Sequence, residues 1–183
     1  DLFNNAPLGI PNDLVTDKKG GLYFTDSVGA IWGEQPGTAV YYLNPEGELN
    51  LVSEWNEFGG PNGCVLSQDD SRFFLSDFTD NTIWMFDVND DGTLSNKRLF
   101  AKLLSGENAD GMTIDTAGNL YIATDIGIHI FDKKGNFIGH IYMPVRSTNC
   151  VFGGDALSTL FVTCVDRIYA IKTRMTGFQY PLK

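Results

Sequence analysis

Short apolar segments of four to six residues alternate with Gly-, Asp- and Asn-rich turns along the whole chain, and no stretch holds a helical period. Leu22-Tyr23-Phe24-Thr25-Asp26, Phe73-Phe74-Leu75-Ser76-Asp77, Leu120-Tyr121-Ile122-Ala123-Thr124-Asp125 and Leu160-Phe161-Val162-Thr163 are four versions of one such segment. β-branched and aromatic residues between turn formers predict strands joined as hairpins. Each version follows a similar opening: Pro11-Asn12-Asp13-Leu14-Val15, Pro61-Asn62-Gly63-Cys64-Val65, Ala109-Asp110-Gly111-Met112-Thr113-Ile114 and Thr148-Asn149-Cys150-Val151-Phe152. Each precedes a third apolar segment: Val40–Leu43, Ile83–Phe86, Ile128–Phe131 and Ile168–Ile171. A fourth strand is expected in the first three units, at 49–52, 98–102 and 137–142, and none in the last. Residues 1–10, rich in Asn, Pro and Gly, read as a loop.

Four-stranded units repeating at ~40–50 residues predict propeller blades. The fold class is therefore all-β: a β-propeller with four consecutive blades, at about 11–58, 61–106, 109–144 and 147–173, in a single domain. The two end blades are expected to carry apolar faces without a neighbour, which favours self-association.

Composition narrows the function. The net charge of −10 argues against a nucleic-acid partner, since a polyanion is repelled and no basic stripe offsets it. No apolar run approaches the ~18 residues of a membrane-spanning helix. The first thirty residues show neither a basic start nor an apolar core stretch of a signal peptide, so a cytoplasmic location is expected. Three cysteines, Cys64, Cys150 and Cys164, are an odd number and fit buried small hydrophobes better than a disulfide scaffold.

The candidate chemistry lies at the openings. The first strands of a propeller line its channel, so Asn12, Asn62, Asp110 and Asn149 are expected to converge at one mouth. Amide and carboxylate oxygens without thiol or imidazole suit a hard cation. Three other signals carry less. Asp87-Val88-Asn89-Asp90-Asp91-Gly92 begins like a calcium-binding loop, but Arg98 stands where its bidentate Glu belongs, so a hairpin turn is expected. His129 and His140 have no Ser or Cys nucleophile beside them in sequence. Asp26, Asp77 and Asp125, ending second strands, read as turn caps.

The openings together with Tyr23-Phe24-Thr25-Asp26, Gly127-Ile128-His129-Ile130-Phe131 and Cys150-Val151-Phe152-Gly153-Gly154 resemble the gluconolactonase, senescence-marker-protein and luciferin-regenerating-enzyme family of six-bladed propellers. The resemblance implies a metal-dependent sugar lactonase with one divalent ion, usually Ca²⁺, with Mg²⁺, Zn²⁺ or Mn²⁺ as alternatives. It implies Asn62 and Asp110 as direct ligands, Asp110 also as proton acceptor, and Asn12 beside both ion and substrate. By the resemblance, the family's glutamate ligand has no match here and its first two blades are expected to be absent. The chain alone is therefore expected to be a poor enzyme unless a carboxylate such as Glu34 or Glu107 comes from a second copy. The family's substrate arginine corresponds to Ile10, and Ser27–Thr38, with Trp32 and Glu34, takes the place of the substrate lid. The alternatives are a phosphotriesterase-type hydrolase and a non-catalytic scaffold, because the fold hosts all three.

Overall fold

A computed structural model describes residues 2–4, 6–27, 37–104 and 106–178. It opens on a short hairpin, β1 (Leu2–Phe3) with β2 (Ala6–Pro7), where the sequence reads as a loop. The Phe3 ring lies edge-on to Tyr41, with centroids 5.2 Å apart, and 6.2 Å from that of Trp55. An aromatic anchor thus holds a segment whose local composition favours only turns.

Four antiparallel sheets follow. The first comprises β3 (Pro11–Thr16), β4 (Leu22–Asp26), β5 (Ala39–Leu43) and β6 (Leu49–Leu51). The second comprises β7 (Pro61–Leu66), β8 (Arg72–Asp77), β9 (Thr82–Val88) and β10 (Leu94–Lys102). The third comprises β11 (Met112–Ile114), β12 (Leu120–Thr124), β13 (Gly127–Phe131) and β14 (Phe137–Tyr142). The last has three strands, β15 (Ser147–Gly153), β16 (Thr159–Cys164) and β17 (Ile168–Lys172). Every strand pairs with its sequence neighbour, the meander of a propeller blade. Asp87 and Val88 end β9 and residues 89–93 form the β9–β10 turn, and Asp87 pairs with Arg72 and Arg98.

Each junction between blades is a separate apolar core, because successive side chains on a strand point to opposite faces. On β8, Phe73 and Leu75 pack toward the first blade beside Tyr23, Val40 and Tyr42. Phe74, from the opposite face, packs with Met112, Leu120 and Ile122 of the third blade. On β12 the division is Leu120 and Ile122 against Tyr121 and Ala123, the latter pair meeting Cys150, Leu160 and Val162. Such strands are apolar on both faces and so read as continuous hydrophobic runs. The three thiols are free and buried in these junctions, and burial pushes those of Cys64 and Cys150 upward. The end blades keep apolar faces toward solvent: Leu14 on the first, and Val151, Phe161 and Ile168 on the last.

Hydroxyl staples join neighbouring blades at their inner ends. Thr25, fully buried, accepts from the Asp13 N–H and donates to the Asn62 carbonyl at 2.7 Å. Ser76 donates to the Asp110 carbonyl at 2.9 Å. The Ser/Thr before the strand-ending Asp therefore links its own blade to the opening of the next. Replacing Thr25 with valine should cost about 1–3 kcal/mol, the penalty for stranding buried polar partners, read as a lower urea midpoint with an unchanged m-value. An unaltered midpoint would show that the staple contributes nothing.

Candidate functional site

The register explains what the openings present. In the first two blades the pairing is interrupted just before Leu14↔Phe24 and Cys64↔Leu75, and in the third the ladder begins at Met112↔Ile122. Two residues precede each of these pairs: Asn12-Asp13, Asn62-Gly63 and Asp110-Gly111. The fourth blade pairs Cys150 with Val162 in the same position, so its equivalent two residues are Thr148-Asn149. Asn149 is thus one place out of step with Asn12, Asn62 and Asp110 and matches Asp13, Gly63 and Gly111 instead. The expected four-fold set is in fact three-fold, because a one-residue shift turns a side chain to the other face.

The second position of each pair leans onto the next blade. The Asp13 carboxylate accepts the Cys64 N–H at 3.2 Å. A Cβ on Gly63 would sit 2.4 Å from the Asp110 carbonyl oxygen, and one on Gly111 would sit 2.2 Å from the Asn149 side chain. Glycine is required there by close approach of neighbouring backbones or side chains. Asn149 lies beside Asp13, and both line a channel of about 620 Å³ with Leu14, Met112 and Cys150. Burial pushes the Asp13 carboxyl above the usual carboxylate range, partly offset by hydrogen bonds from the Leu14 and Cys64 backbone.

The first position faces the mouth. Asn12, Asn62 and Asp110 line one cavity of about 360 Å³ with Ser27, Gly59, Gly60, Phe78, Thr79 and Arg146. The entering backbone is fixed from behind. Asp26 accepts the Gly9 and Ile10 N–H groups at 2.6 and 2.8 Å, and Asp77 accepts those of Gly59 and Gly60, both at 3.0 Å. These two carboxylates hold the segments that deliver Asn12 and Asn62. Asp125 differs: by register Thr124 stands where Asp26 and Asp77 do, so Asp125 lies one residue further on, accepts Asn108 at 2.7 Å, and lies 3.1 Å from Arg146 Nε.

Asn62 is buried beside the Asp110 carboxylate, and its amide favours the ionised form of that group. Its Oδ1, also buried, has no hydrogen-bond partner among the described residues. An uncompensated buried amide oxygen is costly and marks a place for a ligand. Burial raises the Asp110 carboxyl, opposed first by the charge of Arg146, which donates to Asp110 Oδ2 at 2.9 Å. The guanidinium also lies 5.5 Å from the Phe78 ring centroid.

Arg146 and Asp13 are the two groups that sequence reading did not single out. The signal for Asp13 was its place in Pro11-Asn12-Asp13. Arg146 stands just before the fourth opening, where a cation facing three oxygen-bearing openings was legible only once their convergence was known. Glu107 lies elsewhere, its Oε2 3.6 Å from His129 Nδ1 and accepting the Leu104 N–H. Glu34, Trp32 and most of the expected lid lie outside the described residues. No three His, Cys, Asp or Glu side chains form a metal cluster among the described residues.

Comparison with known proteins gives a consistent result. A gluconolactonase of Zymomonas mobilis is 29% identical over 97% of this chain and 54% of its own length. The lactonase drp35 of Staphylococcus haemolyticus is 31% identical over 74% of this chain and 42% of its own. The solved gluconolactonase of Xanthomonas campestris superimposes with a TM-score of 0.83 at 28% identity, covering 93% of this chain and 59% of that one. The chain spans about half the length of the curated relatives it matches. The profile of the SMP-30/gluconolactonase/LRE-like region matches residues 1–166, so the chain belongs to that family.

Proposed function

We propose that the mouth cavity is the metal and substrate site of a lactone hydrolase. The observation that carries this reading is the orphaned, buried Oδ1 of Asn62 beside the Asp110 carboxylate, in a cavity shared with Asn12. The donor set contains only oxygen, which fits Ca²⁺ or another hard divalent cation. Asn62 and Asp110 would hold the ion, and Asn12 would lie beside it. When bound, such an ion supplies Lewis acidity to the lactone carbonyl.

The chain's own groups do the rest. Asp110 provides the formal negative charge of the set, and its carboxylate accepts the proton of the attacking water. The Asn62 amide lies beside that carboxylate and favours its ionised form. Asn12, exposed at the rim, orients the lactone without adding charge. Hydrolysis breaks the ring C–O bond and leaves a hydroxy acid, so a carboxylate departs through the same mouth. With one formal charge from Asn62 and Asp110 together, the ion affinity of these residues alone is low, since charge count tunes Ca²⁺ binding over decades.

The test is release of acid from glucono-δ-lactone in Ca²⁺ and in EDTA, with the thermal midpoint measured alongside. Weak turnover that EDTA removes, and a midpoint that rises with Ca²⁺, are expected. Turnover indifferent to EDTA would contradict the metal role; a midpoint blind to every divalent ion, with no turnover, would end the reading.

A further inference from the structure

Arg146 is the one cationic side chain among the described residues that line the mouth cavity. It is held on three sides: by Asp110 Oδ2 at 2.9 Å, by Asp125 Oδ1 at 3.1 Å and by the face of Phe78. The contacts differ in kind. The Asp110 contact is an aligned hydrogen bond, whereas Asp125 Oδ1 makes a close ion pair without hydrogen-bond alignment. Arg146 is 41% exposed and Asp110 only 14%, so the guanidinium approaches the carboxylate from the solvent side. Asn62 Oδ1 is buried and has no hydrogen-bond partner among the described residues.

From this arrangement we infer that Arg146 is a resident counter-cation that exchanges partners. In the protein without a divalent ion it neutralises Asp110. A divalent ion taking Asp110 and Asn62 meets a positive charge already on the carboxylate, so Arg146 opposes its binding by repulsion and by occupying Oδ2. Pushed off Asp110, the guanidinium keeps Asp125 and the Phe78 face and turns its free N–H groups to the mouth. A planar fork of donors beside an oxygen-lined cavity matches a carboxylate bidentately. Lactone opening produces that group, so Arg146 is the recognition group for the hydroxy-acid product, and for lactones bearing a second carboxylate. This inference rests on the cation site proposed for Asn62 and Asp110.

Two ligands test it, Ca²⁺ and D-gluconate, each measured by calorimetry on the chain and its variants. Arg146→Met should bind Ca²⁺ about tenfold more tightly, by loss of the opposing charge. Arg146→Gln removes the same charge with a polar side chain and serves if the methionine variant does not fold. Arg146→Lys keeps the charge and should leave Ca²⁺ affinity near that of the parent. At a fixed saturating Ca²⁺ concentration, gluconate should bind about tenfold more weakly to either neutral variant. A merely structural arginine would lower the thermal midpoint without tightening the cation. Unchanged or weaker Ca²⁺ binding in both neutral variants overturns the inference, as does unchanged gluconate affinity. If parent and neutral variants bind Ca²⁺ equally, the cation site stands and only the role of Arg146 falls. If none binds it, both fall together.

Discussion

Alanine at Gly63 should lower stability by about 3–5 kcal/mol, on the order of 10 °C in thermal midpoint for a chain of this size. The added Cβ would lie 2.4 Å from the Asp110 carbonyl oxygen and 2.7 Å from Gly111 Cα. Both are backbone atoms of the neighbouring blade, so no side-chain rotation relieves the clash. The second and third blades must separate where their shared core packs Phe74 against Met112 and Ile122. Separation also draws Asn62 away from Asp110 and breaks the donor pair. Gly139 is the control. Its Cβ would meet nothing nearer than Ile130 Cδ1 at 3.7 Å, so alanine there should be within about 0.5 kcal/mol of neutral. Equal midpoints for the two variants would show that the close approach at Gly63 is not a constraint on the fold.

Asp110→Asn should abolish Ca²⁺-dependent stabilisation and reduce lactone turnover by about 10²–10⁴-fold, the span of a lost proton acceptor. It removes the formal charge of the proposed donor set while keeping shape and volume. Stability should move the other way. Burial raises the Asp110 carboxyl in the fold, so its ionised form is disfavoured there relative to the unfolded chain. That cost applies above the raised folded value and fades as pH falls through it toward 3.8. In chelator at pH 7 the variant should therefore melt at or above the parent, with the difference shrinking in acid. Undiminished turnover, or a Ca²⁺ response equal to the parent's, would remove Asp110 from the site.

Opposite signs for stability and function are expected of a group held for chemistry. Asp26 and Asp77 provide the contrast. Each is buried, but each is answered by backbone N–H groups that deliver the neighbouring opening. They work for the fold, as the sequence reading of strand-ending aspartates expects. Asp125 departs from that reading. Ala123 fills the hydroxyl position of its blade, displacing Asp125 by one residue, and the carboxylate turns to Arg146 and Asn108 instead.

Much of this architecture was determined by the sequence alone, because the causes are local. Strand alternation and turn residues act over a few positions, and their repetition set the number of the blades. The same repetition singled out Asn12, Asn62 and Asp110, whose spacing from the strand that follows is shared. Other features depend on where one blade lies against the next. Asn149 looks equivalent in sequence, yet pairing from Cys150 places it one residue out of step and turns it to Asp13 in the channel. The β1–β2 hairpin exists through Phe3 meeting Tyr41 and Trp55, a contact across more than thirty positions of chain that no local signal encodes. The partnership of Arg146 with Asp110 spans 36 residues and two blades. A charge finds its partner through the rotation between packed blades, and only the tertiary structure supplies that rotation.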